Sequence, residues 1–374
     1  MSDSALTAPC LQIAFASLGS ILGPTLAPIT GGLIGQYLDW HWIFWVLLIA
    51  SVSFFIPLLL FLPETCRKVV GDGSIPPPRL NWSLTDVIRH RRRQKKGIAV
   101  DKEKIAEFRK HYKFRVPNPL ATLNIVFDIE SGLILGATGL ALACFYAIST
   151  GASSALHDVY GFNDIQIALV FIPIGAGGIV SAFTTGKLVD WNFHRHARRH
   201  GMLIRKNVRQ DLSNFPIEQA RMEVALPLFY LGLVCIIAYG WTMSVKVSLA
   251  APVIFLFIIG YALIAAFQVF NVLMVDIYPG RPAAASAANN LIRCELGAAA
   301  SAAIEPMSKA MGRGWAYTTL ALIAAVFAPT LIFIMRHGIT LRKKKAAREA
   351  RRIAQKAKEE RKSWRSRAFV KRFF

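Results

Sequence analysis

Residues 19–35 read GSILGPTLAPITGGLIG, inside the stretch 1–63, which has no Lys, Arg or Glu. Gly19, Gly23, Ala27, Gly31 and Gly35 recur every four positions, and Pro24 and Pro28 stand in the same run. In water each interior glycine weakens a helix by about 1 kcal/mol, and an interior proline breaks or kinks it. Hydrocarbon changes the balance. No hydrophobic force drives helices together there, so small residues that let backbones approach hold them in contact. Neighbouring helices re-satisfy the backbone groups that a proline frees. Residues four apart share a helix face. The stretch therefore predicts a lipid-embedded helix with a flat ridge of small residues.

The whole chain agrees with that solvent. Its 374 residues are 54% hydrophobic and only 18% charged, with mean hydropathy +0.42 and formal net charge +22. Soluble domains carry about 25% charged residues. High apolarity and high positive charge coexist when they are segregated along the chain, as in a membrane protein with basic loops. A nucleic-acid binder has no need of such long uncharged runs. Cys10, Cys66, Cys144, Cys235 and Cys294 are scattered without a CxxC, which argues against a disulfide framework or a zinc site. The first residues, MSDSALTAP, lack the basic start of a secretory signal.

A spanning helix needs about 20 mostly apolar residues. Eight segments qualify: 9–37, 42–62, 131–152, 163–186, 224–243, 248–274, 283–306 and 314–335. The polar stretch 63–125 opens with the helix-breaking PETCRKVVGDGSIPPP and continues through RHRRRQKKG. Ile105, Phe108 and Tyr112 then mark an amphipathic face, expected on the membrane surface or against the helices. Lys and Arg fall unevenly: fifteen in 63–125, eight in 187–223 and sixteen from Arg336 onward, against Lys246, Lys309 and Arg313 in the alternate loops. The positive-inside rule puts the rich side, and with it both termini, in the cytoplasm. Four regions result: 1–62, two helices; 63–125, a cytoplasmic loop; 126–335, six helices; and 336–374, a basic tail. The tail, RKKKAAREARRIAQKAKEERKSWRSRAFVKRFF, is Ala-rich and expected helical. It serves either as a solvated helix that fixes orientation or as a contact with anionic inner-leaflet lipids, at about 1 kcal/mol per cation close to the surface.

Several motifs carry a family resemblance. LGPTLAPITGG (22–32), followed by a short turn and HWIFW (41–45), resembles the antiporter motif of the major facilitator superfamily. Gly23, Pro24, Gly31 and Gly32 match it, and Ala27 stands where many relatives have Gly. PETCRKVVGDGSIPPP (63–78) resembles the start of the central loop of fungal drug:proton antiporters, in the quinidine-resistance and dityrosine-transporter branch. GKLVDWNFHRHARR (186–199) is similar to the second copy of the family's signature cytoplasmic loop. Gly186 and Asp190 match, and Arg195, Arg198 and Arg199 supply the basic end. DLSNFPIEQAR (211–221) and DIYPGRPAAASAANNLIRCELGA (276–298) are similar to the same branch.

The resemblance covers residues 11–335. It implies an all-α polytopic membrane protein with a major facilitator fold, whose eight spans correspond to helices five to twelve, the first four lacking. It further implies proton-coupled export (antiport) of small organic compounds, such as drugs, polyamines or dityrosine-like metabolites, by alternating access. The implied partners are the bilayer, substrate and protons, with no nucleic acid. The energy source is the proton gradient, with no cofactor, and the implied location is the plasma membrane. The alternative is a membrane fragment that does not transport, since the family's first signature loop and fourth-helix Arg motif have no counterpart here. For the loop, Gly186 permits a tight turn out of the helix. Asp190 suits the positive end of a neighbouring helix, and the resemblance gives it the role of a latch. The glycine ridge is expected to press on the 163–186 helix with its PIGAGG.

Ionisable groups inside a span are costly and default to functional candidates. Arg293 and Glu295, in NNLIRCELGAAASAA, are two apart and point about 200° away from each other, so they do not pair. Asn289, Asn290, Arg293 and Gly297 share a face, and the amides or backbone carbonyls are expected to satisfy the guanidinium. Glu295 is the candidate proton carrier. Tyr261, Gln268 and Asn271 lie on one face of their helix, and Tyr146, Ser149 and Ser153 on one face of theirs. The resemblance places both helices on the central cavity, where aromatic and amide walls suit amphipathic molecules; the rival role is buried helix contact. His157 and Asp158 are expected as loop near the outer mouth, and Glu305 as a solvated group close to the outer end. His194, His196 and His200 have no carboxylate or Cys beside them in sequence, which argues against a metal site. No phosphate loop, hydrolase elbow or catalytic carboxylate pair is visible, so an enzyme is not expected.

Overall fold

Backbone polar groups in hydrocarbon must be satisfied within their own segment, so long apolar runs become helices. The computed structural model describes residues 27–64, 70, 82–95, 120–201, 215–278, 282–327, 329–343 and 347. Its helices are α1 (His41–Phe61), α2 (Leu84–Lys95), α3 (Leu120–Val126), α4 (Ile129–Tyr160), α5 (Asp164–Val170), α6 (Ile172–Arg199), α7 (Ile217–Val245), α8 (Ala250–Ile277), α9 (Pro282–Met311) and α10 (Arg313–Val326). Residues 27–37 and 329–343 are also helical.

Six of these stretches are long and apolar enough to cross a membrane: His41–Phe61, Ser131–Tyr160, Asp164–Arg199, Ile217–Val245, Ala250–Ile277 and Arg313–Lys343. The sequence reading expects eight. Most of segment 9–37 lies outside the described residues. Segment 283–306 does form a helix, the 30-residue α9, but its Asn, Arg and Glu side chains dilute its apolarity.

The chain divides into two compact units, Leu33–Asn118 and the remainder. In the smaller unit α1 buries no side chain, as expected of a span whose neighbour is lipid. Thr85 Oγ1 donates to the Phe61 carbonyl at 2.7 Å, and Ser83 and Asp86 exchange hydrogen bonds at the start of α2, a reciprocal cap.

The larger unit is a helix bundle. Its core sits among α4, α7 and α8, where Ile134, Leu135, Ile148, Phe229, Ile236, Leu263 and Phe270 are fully buried. Small residues set the closest approach, as membrane packing requires. Gly177 of α6 lies against the Phe257 carbonyl and Tyr261 amide of α8, and Gly260 of α8 lies against the Ile174 carbonyl of α6. The glycine of PIGAGG thus serves the α6–α8 crossing rather than the ridge that opens the chain. From that ridge, Gly32 packs on α5: an added Cβ would meet the Asp164 carbonyl oxygen at 2.8 Å and the Ala168 Cβ at 2.9 Å. Gly31 faces open space. Gly19, Gly23 and Pro24 lie outside the described residues.

The expected turn after Gly186 is absent. Helix α6 runs unbroken to Arg199, and the left-handed glycine that follows it is Gly201, at φ +64°. The polar residues 187–199 remain helical because their buried side chains, Val189, Asn192, His196 and Ala197, still pack on the bundle.

Candidate functional site

Along one face of α9, Asn289, Arg293 and Gly297 follow one another turn by turn. Asn289 Nδ2 donates to Asn271 Oδ1 of α8 at 3.0 Å. One turn on, the Arg293 guanidinium lies 5.8 Å from the centre of the Phe267 ring, also on α8. A further turn on, Gly297 admits the Tyr146 ring of α4, which an added Cβ would meet at 2.7 Å. Tyr146, Asn271 and Arg293 are therefore brought along one line on neighbouring helices. Tyr261 turns to α6 instead, where its hydroxyl receives a hydrogen bond from Thr184 Oγ1 at 3.3 Å. Gln268 is half-buried, and Asn290 and Glu295 are exposed.

The amides do not satisfy Arg293. Among the described residues it has no hydrogen-bond or ion-pair partner, and its buried Nε is unpaired. The Asn289 amide group is committed to Asn271, and the Asn289 Oδ1 has no donor among the described residues.

One end of the bundle is fastened by ion pairs. Glu223 of α7 accepts from Arg195 Nη2 at 2.6 Å and from Asn192 Nδ2 at 3.2 Å, and pairs with His196 Nε2 at 2.8 Å, all on α6. Arg221 of α7 pairs with Asp276 of α8 at 3.3 Å. Arg342 joins the buried Glu218 carboxylate, with Nη2 to Oε2 at 2.9 Å, and donates to the Phe215 carbonyl at 2.6 Å. Tyr278 Oη donates to Asp128 Oδ2 at 3.1 Å. These contacts link α4, α6, α7, α8 and the 329–343 helix.

The three residues assigned to a latch are separated by this arrangement. Arg195 is engaged with Glu223, whereas Gly186 and Asp190 are exposed on α6 with no described neighbour bonded to Asp190. His196 also gains the carboxylate partner it lacks in sequence. Glu218, Glu223 and Asp276 were missed as functional candidates. The available signal was IEQARME (217–223), three charged side chains at the mouth of an apolar run.

The opposite end holds a cavity of about 430 Å³, lined in part by Ser154, Asp158, Lys246, Glu305, Lys309 and Arg313. Arg313 donates to Asp158 at 2.7 Å, Ser154 Oγ to Glu305 at 3.0 Å, and Lys309 pairs with Glu305 at 3.3 Å. Asp158 and Glu305 are thus structural charges that tie α4, α9 and α10, rather than a loop residue and a simply solvated group. Lys246 caps α7 in the left-handed region, at φ +55°.

Apolar spanning helices, a polar line inside them and paired charges at both ends define a polytopic integral membrane protein. Residues 10–302 match the sequence profile of the Major Facilitator Superfamily, and the chain belongs to that family. It is 53% identical over 352 residues to the MFS-type transporter phiD of a fungal species (strain ATCC 74256), covering 92% of this chain and 53% of the relative. It is 47% identical over 336 residues to the MFS-type transporter tstD of Talaromyces stipitatus, covering 90% of this chain and 61% of the relative. Citrate exporter 1 of Aspergillus niger is 29% identical over 85% of this chain and 60% of its own length. The chain thus spans only about half to three fifths of these relatives. Their names are those of transporters, not enzymes.

Proposed function

We propose that this protein acts in membrane transport, as a proton-coupled exporter of small organic compounds in the fungal drug:proton antiporter manner. The observation that carries the reading is the polar line of α9 against α4 and α8. Asn289 joins α9 to α8 through Asn271, but the helix gains nothing in lipid from Asn290, Arg293 and Glu295, so their presence calls for a solute or an ion that uses them. The relatives' names support transport, and the citrate exporter is one relative named for a small organic compound. In this reading the six spans from α4 to residue 343, with α5–α6 and α10–343 each counted as one, correspond to the C-terminal half of the fold, and α1 to the sixth helix. The ion-paired end faces the cytoplasm, at the plasma membrane, because the flanking loops and tail carry most of the Lys and Arg. The basic tail rests on anionic lipid.

Glu295 is the proposed proton carrier. Purified protein in liposomes, loaded with a compound panel and given an imposed pH gradient, tests the assignment. Glu295→Gln abolishes gradient-driven export while leaving membrane insertion intact. Unchanged export by the variant would sink the Glu295 assignment.

A further inference from the structure

We infer that Arg293 is the anchor for a carboxylate group on the transported molecule, so that the substrate is an organic anion. The inference rests on the transport reading above and names its substrate class. A guanidinium in the middle of a membrane helix is tolerated when an anion or a set of acceptors meets it. Neither is supplied here by a described residue. Asp158, Glu218, Glu223, Asp276 and Glu305 all hold basic partners at the two ends of the bundle. Glu295 leaves the same helix in another direction and is exposed. Arg293 itself is only half-buried, so it can be approached, while its Nε is sealed and unpaired.

The surroundings define what fits. Phe267 lies 5.8 Å beneath the guanidinium. The Tyr146 ring lies one turn along α9, against Gly297. The Asn289–Asn271 amide pair lies one turn the other way. Two rings and two amides offer an apolar surface and hydrogen bonds, with the single charge at their centre. A carboxylate meets that charge through the planar two-toothed contact that guanidinium favours, and the carbon body of the same molecule covers the rings. A polyamine meets an uncompensated cation and is repelled. The geometry therefore separates organic acids from the cationic compounds that the sequence alone leaves open.

The test uses the purified chain in phosphatidylcholine nanodiscs. The probes are naphthalene-2-carboxylate, its neutral counterpart 2-naphthalenemethanol, and spermidine. The expected result is at least tenfold tighter binding of the carboxylate than of the alcohol, with no spermidine binding. Arg293→Gln removes the preference between carboxylate and alcohol, and Arg293→Lys restores part of it. Circular dichroism and the unfolding midpoint show that each variant is folded. A carboxylate preference that survives in Arg293→Gln, or a wild type with no preference, overturns the inference. So does a variant that melts early with ligand preference unchanged, which would make Arg293 the partner of a carboxylate elsewhere in the protein. Export assays separate this from the transport reading: export of neutral compounds without preference for acids defeats only the anchor, whereas carboxylate binding with no export of any compound defeats only transport.

Discussion

Tyr239 and Tyr317 stack edge to face with ring centres 5.4 Å apart, and both are buried with hydroxyls that have no hydrogen-bond partner among the described residues. A buried, unpaired polar group costs about 1–3 kcal/mol. Tyr317→Phe is therefore expected to stabilise the bundle by about 1 kcal/mol, read as a higher unfolding midpoint in detergent. A lower midpoint would mean that the hydroxyl has a partner. Glu218 behaves in the opposite way. Its carboxylate is buried against Arg342, and Gly338 makes room for it, since an added Cβ would meet Glu218 Cδ at 2.6 Å. Removing one member of such a pair leaves a buried charge, so Glu218→Ala should cost about 3–5 kcal/mol. Combining it with Arg342→Met should recover much of the loss in a double-mutant cycle. These roles were not legible in the sequence. Arg342 lies 124 positions from Glu218, and nothing local marks two charges as partners across that separation.

At the scale of helices the sequence speaks more clearly, because apolar length is a property of one segment. The segments 42–62, 131–152, 163–186, 224–243, 248–274 and 314–335 each coincide with a described membrane-length helix, overrunning it by no more than two residues. Local hydropathy does not mark the end of a helix that outlives its apolar run. Helix α6 continues through GKLVDWNFHRHARR because buried Asn192 and His196 find Glu223 and the Ala220 carbonyl on α7, and such tertiary partners have no signature in local hydropathy. Two glycine substitutions separate the two kinds of site. Gly186 sits inside α6 in open space, so Gly186→Ala should stabilise by about 0.5–1 kcal/mol. Gly260 lies against backbone of α6 that cannot move aside, so Gly260→Ala should destabilise by about 1–3 kcal/mol. Unfolding midpoints of the two variants should move in opposite directions. Equal shifts would contradict the α6–α8 crossing described above.

For the whole molecule, charge segregation was the most informative feature of the sequence. It identified the membrane as solvent before any helix was located, and six membrane-length helices among the described residues agree with it. The candidate site was legible in part. Arg293, Tyr146 and Asn271 were singled out from intramembrane polarity, and the structure brings them to one line along α9. That Arg293 would find no hydrogen-bond or ion-pair partner among the described residues was not legible, because whether an amide reaches a guanidinium depends on which other amide claims it first. The most direct test of the central claim is solute movement by the purified chain in sealed liposomes, measured for a panel of acids, neutral compounds and amines with and without an imposed pH gradient. The account predicts gradient-dependent movement of acids that stops when a protonophore collapses the gradient. Movement of no compound, or movement indifferent to the gradient, would contradict it.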